Sequence, residues 1–456
     1  MRNILIIGAG RSATSLIQYL LDRSKAEKLI ITIGDIDIKN VQKFINGHPN
    51  ARGILLDVFN KAQRKKAVEE SDLVISMLPA RFHIQVAKDC IQFGKHMVTA
   101  SYVSEQMQLL DKKAKEKGLV FMNEIGLDPG IDHMSAMQII DRIRDKGGNM
   151  LLFESFTGGL IAPENDDNLW HYKFTWNPRN VVLAGQGGAA EFIQEGTYKY
   201  IPYHRLFRRT EFLDVEGYGK FEAYANRNSL KYRKIYGLND ILTLYRGTIR
   251  RVGFSKAWNM FVQLGLTDDS YTIPNSEQLS YRKFINLFLP YSPTDSVELK
   301  LRHSLKIDQD DLMWWKLQEL DLFNAEKKIG IKNATPAQAL QKILMDKWTL
   351  KEDDKDMIVM YHKFGYELNG KKQQIDSSMV IKGDDQIHTA MAKTVGLPVA
   401  IASLKILNNK IKTPGVQLPI GKEVYEPILK ELEGFGINFI EKETEYLGYN
   451  PENIVG

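Results

Sequence analysis

A chain of 456 residues with a single cysteine, Cys90, has no intramolecular disulfide and no cysteine cluster to hold a metal. It also lacks any run approaching about 18 uninterrupted apolar residues, so composition marks no membrane-spanning segment. Charge of one sign is scarce as well: 61 Lys and Arg stand against 56 Asp and Glu, a net charge of +5. No basic block alternates with aromatics, which argues against a nucleic-acid partner. The chain passes from Met1-Arg2-Asn3 straight into Ile4-Leu5-Ile6-Ile7-Gly8. That apolar run is too short for a secretory signal, and glycines follow it rather than a cleavage site. The absences together lead to the expectation of a cytoplasmic protein. What is present is ordinary for a globular chain, with 43% apolar and 26% charged residues. The length suits two domains with a cleft between them.

In the first 125 residues apolar runs alternate with helical patterns. ILIIG (4–8), LIITIG (29–34), GILLDV (53–58), DLVISML (72–78), HMVTAS (96–101) and LVFMN (119–123) read as strands. Thr14 to Arg23 and a segment through Val41-Phe44 read as helices between them. Unbroken apolar strands separated by helices predict a parallel sheet covered on both faces, a doubly wound α/β fold of the Rossmann kind. Cys90 falls in HIQVAKDCIQF with Val86 and Phe93 near the same face, the pattern of a small buried core residue.

The first turn, Gly8-Ala9-Gly10-Arg11-Ser12-Ala13, fits G-x-G-x-x-G/A between a strand and a helix. Gly8 permits a tight turn, Gly10 lets a pyrophosphate approach the backbone, and small Ala13 allows the helix to pack close, with its N-terminus toward the anion. Asp35 ends the second strand, where a carboxylate accepts hydrogen bonds from a ribose. Its neighbours Ile36 and Asp37 offer no positive charge to a 2′-phosphate, which favours NAD over NADP, although Lys39 or Arg11 could reach over. Asp57, closing the third strand, is placed either beside the adenine or as a cap. Ser76-Met77-Leu78-Pro79 either runs along the cofactor or simply stops the fourth strand.

Farther along, VTASYVSEQM (98–107), NEIGLDPGIDHM (123–134), TGGLIAPENDDN (157–168), YKFTW (172–176), YANRNS (224–229) and RGTIRRVGF (246–254) follow in order. With TVGLPVAIA (394–402) and TPGVQLP (413–419), this set resembles the saccharopine dehydrogenases of the glutamate-forming type, the saccharopine reductases. The resemblance runs from the first strand to about residue 270 and resumes near 394; the stretch between is too generic to judge. It implies a reversible NAD(P)-dependent oxidation of saccharopine to glutamate and 2-aminoadipate 6-semialdehyde, a step of lysine metabolism. It also implies three segments: a dinucleotide-binding part (1–127), an inserted α+β substrate and dimerisation domain (128–394), and a C-terminal segment (395–456) that returns to the first.

Saccharopine carries three carboxylates and two amines, so its site needs fixed cations, and the planar fork of arginine binds a carboxylate through two bonds. Arg227 and Arg250 are the choices the shared motifs support, with Arg246 a third. Ser101 and Tyr102, at the end of the fifth strand, are placed to bond substrate and cofactor, and Asp128 to pair with a substrate amine. Thr248 and the backbone of Ile249 add hydrogen bonds, and Thr175 stands where the family more often has Ser, with the hydroxyl kept. The dinucleotide contacts implied are Gly8, Gly10, Arg11, Ser12, Ala13, Asp35, Ile36, Asp37, Asp57, Val58, Leu78, Ala100, Ser101, Leu127, Asp128, Pro129 and Thr175. Where fungal members carry an Arg suited to NADP this chain has Ile36, so their NADP specificity is not carried over.

In the chemistry so implied, hydride leaves the carbon bonded to the secondary amine and water then attacks the resulting imine, which requires a base. Asp128 is the principal catalytic choice; Glu164 and His133 are others, and His133 reads equally as a helix-start residue packed under its loop. Glu164-Asn165-Asp166-Asp167-Asn168 lacks the spacing of a calcium loop, and no metal is expected. Residues 313–323 read as an amphipathic helix, and LKEDDKD (350–356) as a charged solvated linker. Two other readings compete: a carboxynorspermidine-type dehydrogenase, which would need fewer cations, and a non-catalytic NAD(P)-sensing protein. A homodimer is the expected assembly.

Overall fold

The structure is a computed structural model and describes residues 1–446 and 448. The described residues divide into two units: 1–149 with 379–440, and 150–378 with 441–446 and 448.

In the first unit the strands are β1 (Arg2–Ile7), β2 (Leu29–Asp35), β3 (Ala51–Leu55), β4 (Leu73–Ser76), β5 (His96–Val98) and β6 (Val120–Met122). They lie in the order β6-β5-β4-β1-β2-β3, every pair parallel, and a seventh strand, Gly415–Gln417, adds beside β6. Strand order reverses between β1 and β4, and ligands of open α/β sheets bind at such a switch point, beyond the carboxyl ends of the strands. Helices Thr14–Ser24, Ile38–Ile45 and His83–Phe93 supply the covering layers. Leu5, Ile7, Val74, Val86, Phe121 and Cys90 share one core cluster, and burial raises the Cys90 thiol well above its ordinary pKa.

The division differs from the boundaries expected at 127/128 and 394/395. Helix Ile131–Asp145 packs against helix Lys422–Glu433, with Tyr425 donating to Asp141 Oδ2 at 2.9 Å, so it belongs to the first unit. Helix Ala390–Leu407 packs on helix Thr14–Ser24, which draws the returning segment back to residue 379. By length and composition this apolar helix could cross a membrane, yet 72% of it is buried inside the molecule, as a core helix would be.

The second unit is built on a mixed sheet. Its strands are β7 (Asn149–Ile161), β8 (Ala190–Gln194), β9 (Thr197–Ile201), β10 (Thr210–Val215), β11 (Gly219–Ala225), β12 (Thr243–Arg251), β13 (Asp356–Leu368) and β14 (Lys371–Lys382). The main path runs β10-β11-β12-β7-β13-β14 and ends on the strand Ile440–Thr444, with the β8-β9 hairpin branching from β12. Its core is aromatic: Trp170, Tyr172, Phe174, Phe254, Trp258 and Trp348 stack or meet edge to face, with centroids 5.2–6.2 Å apart. Residues 313–323 do contain a helix, Leu312–Glu319, burying Met313, Trp314 and Leu317. The segment 350–356 is not a solvated linker: Asp354 and Asp356 are buried, and Asp354 Oδ2 takes a bond from buried Lys173 Nζ at 2.7 Å.

Candidate active site

At the first turn the backbone does the work. Gly8 has φ +101, a conformation L side chains rarely adopt, and a Cβ there would lie 3.0 Å from the Met77 carbonyl oxygen. A Cβ at Gly10 would meet nothing within 4 Å, so the turn is open on the side where a phosphate would approach. Ala13 N bonds Gly10 O at 2.9 Å and closes the first helical turn. Asp35 braces this loop: its Oδ2 accepts from Ala9 N at 2.7 Å and its Oδ1 from Asp37 N at 3.0 Å. Asn40 Nδ2 donates to Ala9 O at 2.6 Å from the next helix. Arg11 is exposed, Ser12 is half-buried, and Ile36 is 73% exposed beside Asp35. The glycine turn, the acidic residue and the open flank thus fit a dinucleotide.

Two of the expected cofactor contacts are engaged otherwise. Asp37 caps helix Ile38–Ile45, accepting from Lys39 N and Asn40 N. Asp57, whose roles were left open, bends its own loop by accepting from Phe59 N at 2.9 Å. Val58 is buried and its carbonyl is held by Arg64, whereas Leu78 and Ala100 are half-buried near the strand ends.

Ser101, Tyr102 and Asp128 are brought together by two loops. Glu124 N donates to Ser101 O at 3.1 Å, and Glu124 Oε1 accepts from Val103 N at 2.9 Å. Tyr102, 46% exposed, donates its hydroxyl to Asp128 Oδ1 at 3.0 Å. The GLDPG loop is compact, with Gly126 N on Pro129 O, Ile131 N on Gly126 O, and Gly130 N on Asp132 Oδ1. Gly130 has φ +147, and a Cβ there would lie 2.1 Å from Gly126 O, so only glycine fits. The Asp128-Pro129 peptide is cis. Leu127 is buried beneath the loop, while Asp128 keeps partial access to solvent.

Of the three proton carriers considered, His133 is placed as a strut. It is fully buried, with Nε2 at 3.0 Å from Glu124 Oε2 and Nδ1 at 3.6 Å from Asp132 Oδ2. Glu164 sits exposed in a short 3-10 turn of the second unit. The acidic loop that follows is already engaged: His171 Nδ1 lies 2.8 Å from Asp166 Oδ2, and Asp167 pairs with Lys173 and Lys351. Burial opposes ionisation of Asp167, but the bonds from Lys351 and Lys173 hold its pKa down to about 2.

The second unit offers a buried guanidinium. Arg250, on β12, is 4% exposed; it donates through Nη1 to Ile249 O at 2.8 Å, and its Nε has no hydrogen-bond partner among the described residues. Its carbon lies 4.9, 5.3 and 5.9 Å from the ring centres of Tyr172, Phe254 and Tyr224. No carboxylate pairs with it among the described residues. Arg246, on the same strand, is equally buried and lies 4.4 Å over Tyr232. Thr248 donates to Asn226 Oδ1 at 2.8 Å and so retains acceptor capacity. Thr175 Oγ1 is buried, with no hydrogen-bond partner among the described residues. Arg227, by contrast, is exposed on the loop after β11.

Sequence reasoning passed over three groups. Thr157 Oγ1, opposite Thr248 across β7 and β12, and the Tyr172 hydroxyl are also buried without hydrogen-bond partners among the described residues, and burial pushes the Tyr172 pKa up to about 12. Both lie in motifs quoted above, but only β-pairing and ring packing single them out. His83, first residue of the HIQVAKDCIQF helix, bridges Ser76 and Ser101.

A parallel sheet with this turn and its bracing acid defines a dinucleotide-binding protein. Residues 4–122 match the family model described as the saccharopine dehydrogenase NADP binding domain, and residues 126–437 the saccharopine dehydrogenase C-terminal domain. A Schizosaccharomyces pombe protein, saccharopine dehydrogenase (NADP(+), L-glutamate-forming), is 33% identical over 458 residues, covering 97% of this chain and 99% of its own. The mitochondrial alpha-aminoadipic semialdehyde synthase of Rattus norvegicus is also 33% identical, over 450 residues, but this chain spans only 48% of its length. Among solved structures, apo saccharopine dehydrogenase (L-Glu forming) from Saccharomyces cerevisiae superposes with a TM-score of 0.88 at 30% identity, covering 98% of this chain and all of that one. The chain belongs to the saccharopine dehydrogenase family.

Proposed function

We propose that the protein is a glutamate-forming saccharopine dehydrogenase, interconverting saccharopine with glutamate and 2-aminoadipate 6-semialdehyde in lysine metabolism. One observation carries the reading beyond family likeness: buried Arg250 has aromatic walls and, among the described residues, no carboxylate paired with it. A cation held in that state is costly unless a ligand anion completes it, and a substrate with three carboxylates does so. A substrate poorer in carboxylates, as in the carboxynorspermidine reading, leaves this group unexplained.

When bound, the dinucleotide accepts hydride from the carbon beside the secondary amine. Gly8, Gly10, Arg11, Ser12 and Ala13 would hold its pyrophosphate, and Asp35 its adenosine ribose. The chain's own groups bind, orient and move protons. Asp128, positioned by Tyr102, holds the substrate amine and takes a proton as water adds to the oxidised carbon. Thr248, Thr175 and Arg250 supply the remaining polar contacts, and Arg246 or Arg227 a second cation. We read the cofactor as NAD in preference to NADP, because exposed Ile36 beside Asp35 presents no charge to a 2′-phosphate. The Schizosaccharomyces pombe relative carries NADP(+) in its name and the matching N-terminal family model is described as NADP binding, so this preference sets the present reading apart from both. A homodimer through the second unit is part of the same reading; exposed Tyr198, Tyr200 and Phe212 on β9 and β10 are the supporting observation.

The test is to incubate the purified protein with saccharopine and either NAD⁺ or NADP⁺ at mildly alkaline pH, following reduced nicotinamide and glutamate. Turnover with a higher kcat/KM for NAD⁺ is expected. Dinucleotide binding without turnover on saccharopine would return the protein to the other amine substrates or to a sensing role.

A further inference from the structure

Ser76 ends β4, His83 opens the helix that follows, and Ser101 lies just past β5, so the sheet places three polar side chains in a row. His83 is 4% exposed; its Nδ1 lies 2.8 Å from Ser76 Oγ and its Nε2 2.8 Å from Ser101 Oγ. Thr99 Oγ1 stands 3.4 Å from the same Nε2 and accepts from Ser101 N at 3.3 Å. The Ser101 carbonyl is tied to Glu124 N. The serine that faces the carboxyl edge of the sheet is therefore fixed through its backbone on one side and through the imidazole on the other.

The direction of the chain of bonds follows from accounting for protons. Ser76 is fully buried, and among the described residues His83 Nδ1 is the one group its hydroxyl bonds. Were Nδ1 to carry the hydrogen, the Ser76 O–H would be a buried donor with no acceptor, a state folded proteins avoid. Nδ1 therefore accepts from Ser76, and a neutral imidazole then carries its single hydrogen on Nε2. Nε2–H donates to the Ser101 oxygen, with Thr99 Oγ1 as a weaker second acceptor. The Ser101 hydroxyl hydrogen is left to point outward.

We infer that His83 is a positioning residue: with Ser76 it holds Ser101 as an outward hydrogen-bond donor to a carbonyl or carboxylate oxygen of the bound ligands. The acceptor is either a substrate carboxylate or the carboxamide oxygen of the nicotinamide. The inference rests on the reading of Ser101 as a ligand contact. Burial keeps the imidazole neutral by lowering its pKa to about 4, so the arrangement holds throughout the working range.

Two single variants, Ser101→Ala and His83→Leu, their double variant and His83→Gln decide the matter, each measured for saccharopine KM, kcat and the dinucleotide Kd. Ser101→Ala and His83→Leu are each expected to raise the same constant about tenfold, the effect of one lost donor. The double variant should be no worse than Ser101→Ala, because His83 acts only through that hydroxyl. His83→Gln, whose amide N–H reaches the position of Nε2, should recover most of the loss. A rise confined to saccharopine KM assigns the acceptor to the substrate; a rise in dinucleotide Kd assigns it to the nicotinamide.

Multiplying losses in the double variant would overturn the inference and make His83 a packing residue. Unchanged constants in Ser101→Ala, with the wild type turning over saccharopine, would also overturn it while sparing the proposed function. A wild type inactive on saccharopine strikes the function alone, since the dinucleotide Kd still reads the His83 effect. Should His83→Leu fail to fold by circular dichroism, Ser76→Ala replaces it and is expected to behave in the same way.

Discussion

The two units hold their polar groups by opposite means. In the first, backbone does most of the holding: the glycine turn, the GLDPG loop and the strand ends are stitched by main-chain bonds, and carboxylates such as Asp35 brace N–H groups. In the second, charges are sunk among rings and ion pairs: Arg250 lies against Tyr172 and Phe254, and Lys173 is sealed against Asp354 and Asp167. A backbone cradle suits a ligand whose phosphates need only N–H groups. A desolvated cation suits one whose carboxylates must be matched by charge. The difference has an energetic side, because losing a brace costs a hydrogen bond while stripping a partner from a buried charge costs several times more.

That contrast can be broken most severely at Lys173. Asp354→Ala leaves a buried ammonium with Asp167 as its remaining ion-pair partner among the described residues, and the expected loss of unfolding free energy is about 3–5 kcal/mol, read from the denaturant midpoint. A loss below ~1 kcal/mol would show that water or Asp167 compensates, and that the second unit is less charge-dependent than described. Next comes Arg250→Met, which removes the cation but keeps the apolar stem. kcat/KM for saccharopine should fall about a hundredfold or more, corresponding to roughly 3 kcal/mol, while the dinucleotide Kd stays within about twofold of the wild type. Equal losses in both constants would mean the box is structural.

The third effect is a pH dependence in the first unit. His83 has its folded pKa lowered to about 4, below the usual unfolded value of 6.5. Between these values the unfolded chain binds more protons, so stability rises with pH through the window and is lost as pH falls from 6.5 toward 4. At full extent this is on the order of 3 kcal/mol. His83→Gln should flatten that part of the stability-pH curve; an unchanged slope would assign the acid sensitivity to other groups. Smallest is Asp35→Ala, expected to weaken NAD about tenfold and NADP less. Because Asp35 also bonds Ala9 N, some loss with NADP accompanies it. An equal loss for both cofactors would reduce Asp35 to a brace.

The same contrast explains what could be read from the residues alone. The parallel sheet, its six strands and the first turn were legible because each signal is local: an apolar run, a glycine spacing, an acid at a strand end. Strand ends shifted by one to three residues, as in GILLDV, where β3 starts at Ala51 and stops at Leu55. Asp37 was read as a cofactor contact although its place before a helix is a capping signal, and the structure uses it so. The segment 350–356 looked solvated because charge density is a surface cue; a partner 181 positions away, Lys173, buries Asp354. Arg227 and Arg250 looked alike in sequence and differ entirely in burial.

By itself the sequence determined the doubly wound sheet, the turn at Gly8 to Ala13 and the GLDPG loop at the carboxyl edge. These depend on periodicity and on the conformations glycine alone permits, properties carried by a few adjacent residues. Only the tertiary structure decided which arginine is desolvated, where the chain divides between its units, and that His83 links Ser76 to Ser101. Desolvation and hydrogen-bond direction are set by whatever packs around a group, and those neighbours come from distant parts of the chain.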